Sequence, residues 1–316
     1  MNRYALEICK KLSASPDWVS GEEMAKALGT SRVNIARQVA KLKEEGFAIE
    51  ASPRRGYLLT PRPLFNAYTL QAALDRAGAE AGELLFFEQT SSTNLEARRA
   101  EAERGLAVAR RQEGGRGRKG RAFSSEEGGL YFSCFFRPRR LSLFDSLKAV
   151  LCAGLAVTDA LKELGFACGL KWPNDVLLGD KKVCGILCEM VCSADEVQRL
   201  ILGIGVNVNN PLPPELTEAA NLKGRGADLD LNTVAAACVK ALLGRIGQLE
   251  EDPAGLLADY RAACLTLGRQ VTVLGEGRRF DGLCTGVDDD GFLRVHTPEG
   301  EERVVTADVS IRPAGA

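Results

Sequence analysis

The sequence predicts an α+β (mixed α/β) protein, in which a central domain of alternating strands and helices lies between two smaller modules. Three observations carry this. Apolar strand runs and helical periods alternate from about residue 66 to 268. Before residue 62 the apolar spacing is mostly helical and ends in one hairpin. From residue 269 onward only short alternating runs remain, separated by Gly- and Asp-rich turns. The 316 residues have room for three domains, expected at 1–62, 66–268 and 269–316. A hydrophobic share of 45% and a charged share of 26% fit a globular chain.

In the first module, Leu6, Ile8, Cys9 and Leu12 mark one face of a first helix. Ser20 with Glu23 three residues later is a capping-box signature and opens a second helix that stops at Gly29. Thr30 or Ser31 caps a third, ending at Gly46, with Val33, Ile35, Val39 and Leu42 expected inward. Arg32, Asn34, Arg37, Gln38 and Lys41 are then expected outward. Runs at 47–50 and 57–59 flank Ser52-Pro53-Arg54-Arg55-Gly56, a hairpin with a basic tip. Helix, tight turn, polar helix and wing is the winged helix-turn-helix arrangement. Eleven Lys/Arg against seven acids over 1–62 give +4. The expected partner is DNA, met by the third helix and by Arg54 and Arg55. A winged helix used for protein contacts is the plainer alternative. Thr60-Pro61-Arg62-Pro63 reads as a stiff linker.

In the central domain, strands are expected at 84–87, 107–110, 130–136, 183–192 and 200–208. Ser91-Ser92-Thr93-Asn94 is read as the cap of a helix ending at Gly105. Further helices are expected at 146–164, with Leu147 among its apolar positions, at 232–250, and at 253–264 behind an Asp252 cap. The tail reads as a small antiparallel sheet or barrel, with runs at 270–274, 279–287, 292–296 and 302–305.

The ten cysteines stand singly, without a C-x-x-C, and one histidine is present, so no metal site is expected. No apolar run approaches the roughly 18 residues needed to span a bilayer. With no signal-peptide pattern at its start, the chain is expected to be cytoplasmic and not membrane-bound.

The segment richest in chemistry is Gly114-Gly115-Arg116-Gly117-Arg118-Lys119-Gly120-Arg121. It has no apolar side chain to bury, and its cations repel one another. Backbone amides and guanidinium groups together suit an anion, and a solvated loop that attracts polyanions is the alternative. The Gly115-x-Gly117-x-x-Gly120 spacing matches a dinucleotide fingerprint, yet 122–129 offers no helix to follow it. Lys171-Trp172-Pro173-Asn174-Asp175 places a lysine at a strand end before a tight turn. The turn is suited to a phosphate, a ribose or Mg²⁺, or is merely structural. Gly185-Ile186-Leu187 and Gly203-Ile204-Gly205-Val206-Asn207-Val208-Asn209 read as strands with bare glycine surfaces.

In this order, these segments together with Ser92-Thr93-Asn94, Gln112, Leu130-Tyr131-Phe132-Ser133 and Gly185–Glu189 resemble the biotin–protein ligases of the bifunctional bacterial type. Phe123 and Ser125 depart from the Trp and Pro usual after the loop, which bears on the loop's packing. The resemblance implies a ligase domain like that of class II aminoacyl-tRNA synthetases and a C-terminal SH3-like barrel. It also implies biotin and MgATP as substrates, a biotinyl-5′-AMP intermediate, and transfer to a lysine of the biotin carboxyl carrier protein of acetyl-CoA carboxylase. Ser92, Thr93, Asn94, Gln112 and Gly185 are thereby assigned to biotin. Gly115, Arg116, Gly117 and Arg118 are assigned to a lid over biotin and the adenylate, and Arg121 to the leaving phosphates. Lys171 is assigned to the carboxylate and α-phosphate, and Asn174, Asn207 and Asn209 to ATP or Mg²⁺. An adenylate-bound homodimer on operator DNA, joined near Leu130–Phe136, is implied as well. A ligand-sensing transcription factor without ligase activity and a lipoate-type ligase are the alternatives.

Overall fold

A computed structural model describes residues 2–60, 64–139, 141–146, 148–193, 196–226, 228–275 and 277–311. The expected linker residues Pro61, Arg62 and Pro63, and the expected helix-face residue Leu147, lie outside them. The chain forms two compact units, Met1–Glu80 and Ala81–Ala316.

The first unit holds α1 (Arg3–Ser13), α2 (Gly21–Ala27), α3 (Arg32–Glu44), β1 (Ile49–Ser52), β2 (Gly56–Leu59) and α4 (Ala67–Ala77). Helix α4 packs on α1, so this unit continues past residue 62. Ser20 accepts from the Glu23 amide and caps α2, while Ser31 accepts from the Asn34 amide and caps α3. Gly56 closes the β1–β2 hairpin at φ +98, where an added Cβ would lie 2.2 Å from the Val19 carbonyl oxygen.

Two expected orientations on α3 are reversed. Val33 is 79% exposed and Gln38 only 2%. Ile35, Val39 and Leu42 fix the inward face. Val33 stands two residues, about 200°, from Ile35, whereas Gln38 stands three after Ile35 and four before Leu42.

The second unit begins β3 (Glu83–Thr90), α5 (Thr93–Arg99), β4 (Gly105–Gln112), β5 (Leu130–Phe136), α6 (Leu143–Ser146) and α7 (Ala149–Glu163). It continues with β6 (Cys168–Lys171), β7 (Asp175–Leu178), β8 (Lys181–Ser193), β9 (Glu196–Val206), α8 (Leu231–Glu251) and α9 (Pro253–Ala263). The sheet order is β3-β4-β5-β9-β8-β7-β6, with β3 and β4 parallel around α5 and the other pairs antiparallel. Helix α5 ends at Arg99 rather than Gly105. The Arg199 guanidinium donates to the carbonyls of Ala97, Ala100 and Ala102 at 2.9, 2.7 and 2.8 Å, which closes the helix end and the following turn.

Strand β5 is paired on both edges and buried, with Tyr131, Phe132 and Phe135 at 1% exposure or less. It therefore cannot offer the joining surface expected at 130–136, because its backbone groups and side chains are already engaged. Helix α7 covers β6 to β9 and packs on α8, while α5 packs on β4, β5 and β9. The chain ends in an antiparallel sheet of β10 (Gln270–Gly275), β11 (Arg278–Val287), β12 (Leu293–Thr297), β13 (Gly300–Val304) and β14 (Asp308–Ile311). Its order is β13-β12-β11-β10-β14, so one strand follows the four expected.

Candidate active site

The face of the large sheet away from α7 carries a bare floor. Gly185 of β8 pairs directly with Gly205 of β9, and Leu187 with Gly203. On β5, Tyr131 lies opposite Gly205 and Ser133 opposite Gly203. The glycines make room for what lies above. A Cβ on Gly205 would stand 2.5 Å from Phe123 Cε1, and one on Gly203 would stand 2.2 Å from Asn94 Oδ1. Phe123 thus rests on the Gly185–Gly205 backbone and meets Tyr131 edge-on, ring centroids 6.4 Å apart. Ser125 is buried, and its hydroxyl donates to the Phe123 carbonyl at 3.0 Å. These two departures from the family pattern are both packed in place.

At one end of the cleft lies a neutral polar cluster. Ser92 precedes α5 but makes no side-chain cap. Instead Gln112 Oε1 accepts from the Thr93 amide at 2.8 Å and the Thr93 hydroxyl at 3.1 Å. Gln112 Nε2 donates to the Ser125 hydroxyl at 3.0 Å. Ser133 donates to Asn94 Oδ1 at 2.6 Å, and Asn94 Nδ2 donates to Glu189 at 2.8 Å. Each side chain is held in one orientation, which suits recognition of a small ligand with both donors and acceptors.

The other end is charged. Arg116, Arg118, Arg121 and Lys182 line the cleft together with Asp175 and Asp308. Arg118 donates to Thr306 Oγ1 at 2.6 Å, to the Ala307 carbonyl at 3.3 Å and to Asn174 Oδ1 at 3.4 Å. Lys119 and Arg121 both reach Asp308 Oδ2, at 3.2 and 2.7 Å. The glycine-cation loop is thereby tied to the start of β14. Burial depresses the pKa of the Arg118 guanidinium, and the nearby Asp308 and Asp175 carboxylates oppose that shift. The Lys171–Asp175 hairpin is anchored by Trp172, which is 3% exposed and whose indole donates to the Gly291 carbonyl at 3.0 Å.

Of the site residues expected from the sequence, Ser92, Thr93, Asn94, Gln112, Arg116, Gly117, Arg118, Arg121, Asn174 and Gly185 line this one cleft. Gly115 does not. A Cβ there would lie 2.5 Å from Ser125 Oγ, so this glycine permits the loop's own packing. Lys171 ends β6 half-buried and is not among the lining residues. Asn207 and Asn209 do not line the cleft, and their side chains brace loops. Asn207 Oδ1 accepts from Asn210, and Asn209 both donates to and accepts from the Leu229 backbone. The sequence did not mark Lys182 or Asp308 as site residues, and it marked Phe123 only for the loop's packing. The glycine pair hinted at an aromatic partner, but Asp308 lies 187 residues from Arg121 and left no sequence signal.

In the first unit, Arg32, Arg37, Lys41, Arg54 and Arg55 are exposed. Asn34 is half-buried, with its Oδ1 accepting from Arg37 at 2.9 Å and from Gln38 at 3.2 Å. Gln38 is thus a buried brace and cannot reach outward. Arg55 stacks on Trp18, 4.1 Å from the ring centroid.

Three family models match this chain: HTH domain over residues 5–58, Biotin/lipoate A/B protein ligase family over 86–207, and Biotin protein ligase C terminal domain over 266–312. The chain is similar to the bifunctional ligase/repressor BirA of Bacillus subtilis, 30% identical over 315 residues, which cover 94% of this chain and 95% of that protein. The Escherichia coli protein of the same name is 28% identical, with 96% of each covered. Among solved structures, the biotin protein ligase from Aquifex aeolicus in complex with biotin and ATP superposes with TM-score 0.65 at 33% identity, over 73% of this chain and 99% of that one.

Proposed function

This chain belongs to the family of bifunctional biotin ligase/repressors, and we propose that the cleft joins biotin to ATP before passing biotin to a carrier-protein lysine. The observation that carries the reading is the cleft's division into a fixed neutral cluster and a cationic end over one glycine floor. Biotin's ureido ring is matched by Thr93, Asn94 and Gln112, with Ser92 beside them. Its carboxylate then points toward the cations.

A carboxylate is ionised at neutral pH, so its attack on the α-phosphorus needs no histidine base. The bond to the β-phosphate breaks and pyrophosphate leaves. What the step needs is alignment and charge neutralisation. Arg116 and Arg118 supply these over the adenylate, and Arg121 meets the departing phosphates. Asn174 receives the nucleotide, and Lys171 is assigned to the carboxylate and α-phosphate by the family pattern alone. The neutral amine of the carrier lysine attacks the mixed anhydride and releases AMP. Arg118 and the loop exclude water until then.

Mg²⁺ would add neutralising charge on the phosphates. Among the described residues no group of three His, Cys, Asp or Glu could hold a metal. The carboxylates lining the cleft, Asp175 and Asp308, are both paired with cations, which fits an ion carried mainly on the nucleotide's own phosphates.

The helix-turn-helix module supports operator binding, through Arg32, Arg37 and Lys41 on α3 and through Arg54 and Arg55 at the hairpin tip. An adenylate-dependent homodimer would match a palindromic site. The ligase-like domain expected at 66–268, whose first helix α4 packs on α1 within the first unit, and the barrel at 269–316 complete the proposed organisation. Mixing the protein with biotin, MgATP and an apo carrier domain should label the carrier in a streptavidin blot. An unlabelled carrier refutes the ligase reading. Selection from random DNA with and without biotin and MgATP tests the repressor half, and failure to enrich any sequence refutes it.

A further inference from the structure

We propose that Lys182, and not only the cations of the glycine loop, contacts the reacting carboxylate and α-phosphoryl oxygens. The proposal rests on the ligase reading above. The register of the β7–β8 pair breaks at one residue. Val176 pairs with Cys184, but the next residue, Leu177, pairs with Lys182, so Val183 is an extra residue in β8. In a regular strand, residues two apart share a face. Lys182 would then point with Cys184, which is fully buried. The bulge reverses this and turns Lys182 onto the face of Gly185, where it lines the cleft.

Two further features hold it there. Lys182 Nζ lies 2.6 Å from Asp175 Oδ1, at the end of the anchored hairpin. A Cβ on Gly185 would come within 3.0 Å of Lys182 Nζ and 3.1 Å of Phe123. The bare glycine therefore lets the ammonium lie on the floor, between the hairpin and the aromatic ring. An ion pair alone would not need a bulge and a glycine to bring it into the cleft. A compact ammonium suits single oxygens of a carboxylate or phosphate. Asp175 keeps Lys182 oriented as bond formation to phosphorus proceeds and pyrophosphate departs.

The test is biotin-dependent ATP–pyrophosphate exchange by the full chain, with biotin affinity and thermal stability measured on the same samples. Lys182→Gln should lower the exchange rate at saturating biotin about 100-fold, the scale for losing one preorganised donor, with biotin affinity reduced far less. Lys182→Arg keeps the charge and the partner but moves the cationic centre, so it should fold normally and still exchange slowly. Exchange by both variants at the wild-type rate overturns the proposal. So does a loss that follows reduced stability or biotin affinity in both variants. A wild-type protein that does not exchange at all overturns the ligase reading itself, and is told apart by that control.

Discussion

Replacing Asp308 with asparagine should release the glycine-cation loop from the C-terminal sheet. Asp308 Oδ2 accepts ion pairs from both Lys119 and Arg121, whose side chains are 47% and 68% exposed. Pairs this exposed are each worth about 0.2–1 kcal/mol, and two that share one oxygen do not add fully. The loss should therefore be about 1 kcal/mol, or an opening equilibrium about fivefold larger. The three Arg118 hydrogen bonds remain, so the loop loosens without unfolding the sheet. Trypsin cleaves after Arg and Lys, and 116–121 holds four such residues. When opening is fast, cleavage follows the open population. Initial cleavage in the loop of Asp308→Asn should accelerate about fivefold over wild type, the factor for about 1 kcal/mol. Unchanged cleavage, with the melting temperature also unchanged, would show that the carboxylate does not restrain the loop.

Lys171→Ala should nearly abolish biotin-dependent pyrophosphate exchange, and a near-normal rate would remove this residue from the reaction. Gly203→Ala would put a methyl group 2.2 Å from Asn94 Oδ1. Displacing Asn94 from Ser133 and Glu189 should weaken biotin binding by about 1–3 kcal/mol in calorimetry, as overpacking does; unaltered affinity counts against Asn94 as a biotin contact. Arg118→Gly should let the adenylate escape and label bystander lysines, whereas full adenylate retention after rapid filtration argues against a shielding role. Burial pushes the Cys188 and Cys238 thiols up to about 12 and Cys9 up to about 11, which keeps them protonated at neutral pH. A thiol reagent at pH 7.5 should therefore modify exposed Cys192 first, as peptide mapping would show. Early labelling of Cys238 would mean the α8 packing is looser than its burial indicates.

The elements with strong local signals were legible. Caps at Ser20, Ser31 and Asp252 each accept from a backbone amide as their positions suggest. Strand 130–136 reads directly from its apolar run because both faces are buried. What failed depended on distant partners. The end of α5 is set by Arg199, about a hundred residues away, and Gln112 satisfies the Thr93 amide where a local cap was expected. On α3 the apolar residue nearest the start, Val33, suggested a wrong phase. The rest of the helix decides the phase, and Gln38 is carried inside. At the candidate site, ten residues picked out by type and spacing come together along one cleft. The bulge that aims Lys182 could not be read, because register belongs to a strand pair and not to one strand.

The facing glycines of β8 and β9 also bear on how the sheet stiffens. Opposed side chains normally contribute about 0.2–1 kcal/mol to a strand pair. At Gly185 and Gly205 that contribution is missing from the middle of a seven-stranded sheet. Phe123 supplies part of it from outside, as a borrowed rung laid across two strands. A planar ligand group seated beside that ring would supply more. Filling the cleft should then slow amide hydrogen exchange not only in the loop but along β8 and β9, so the seam of the sheet itself would report occupancy.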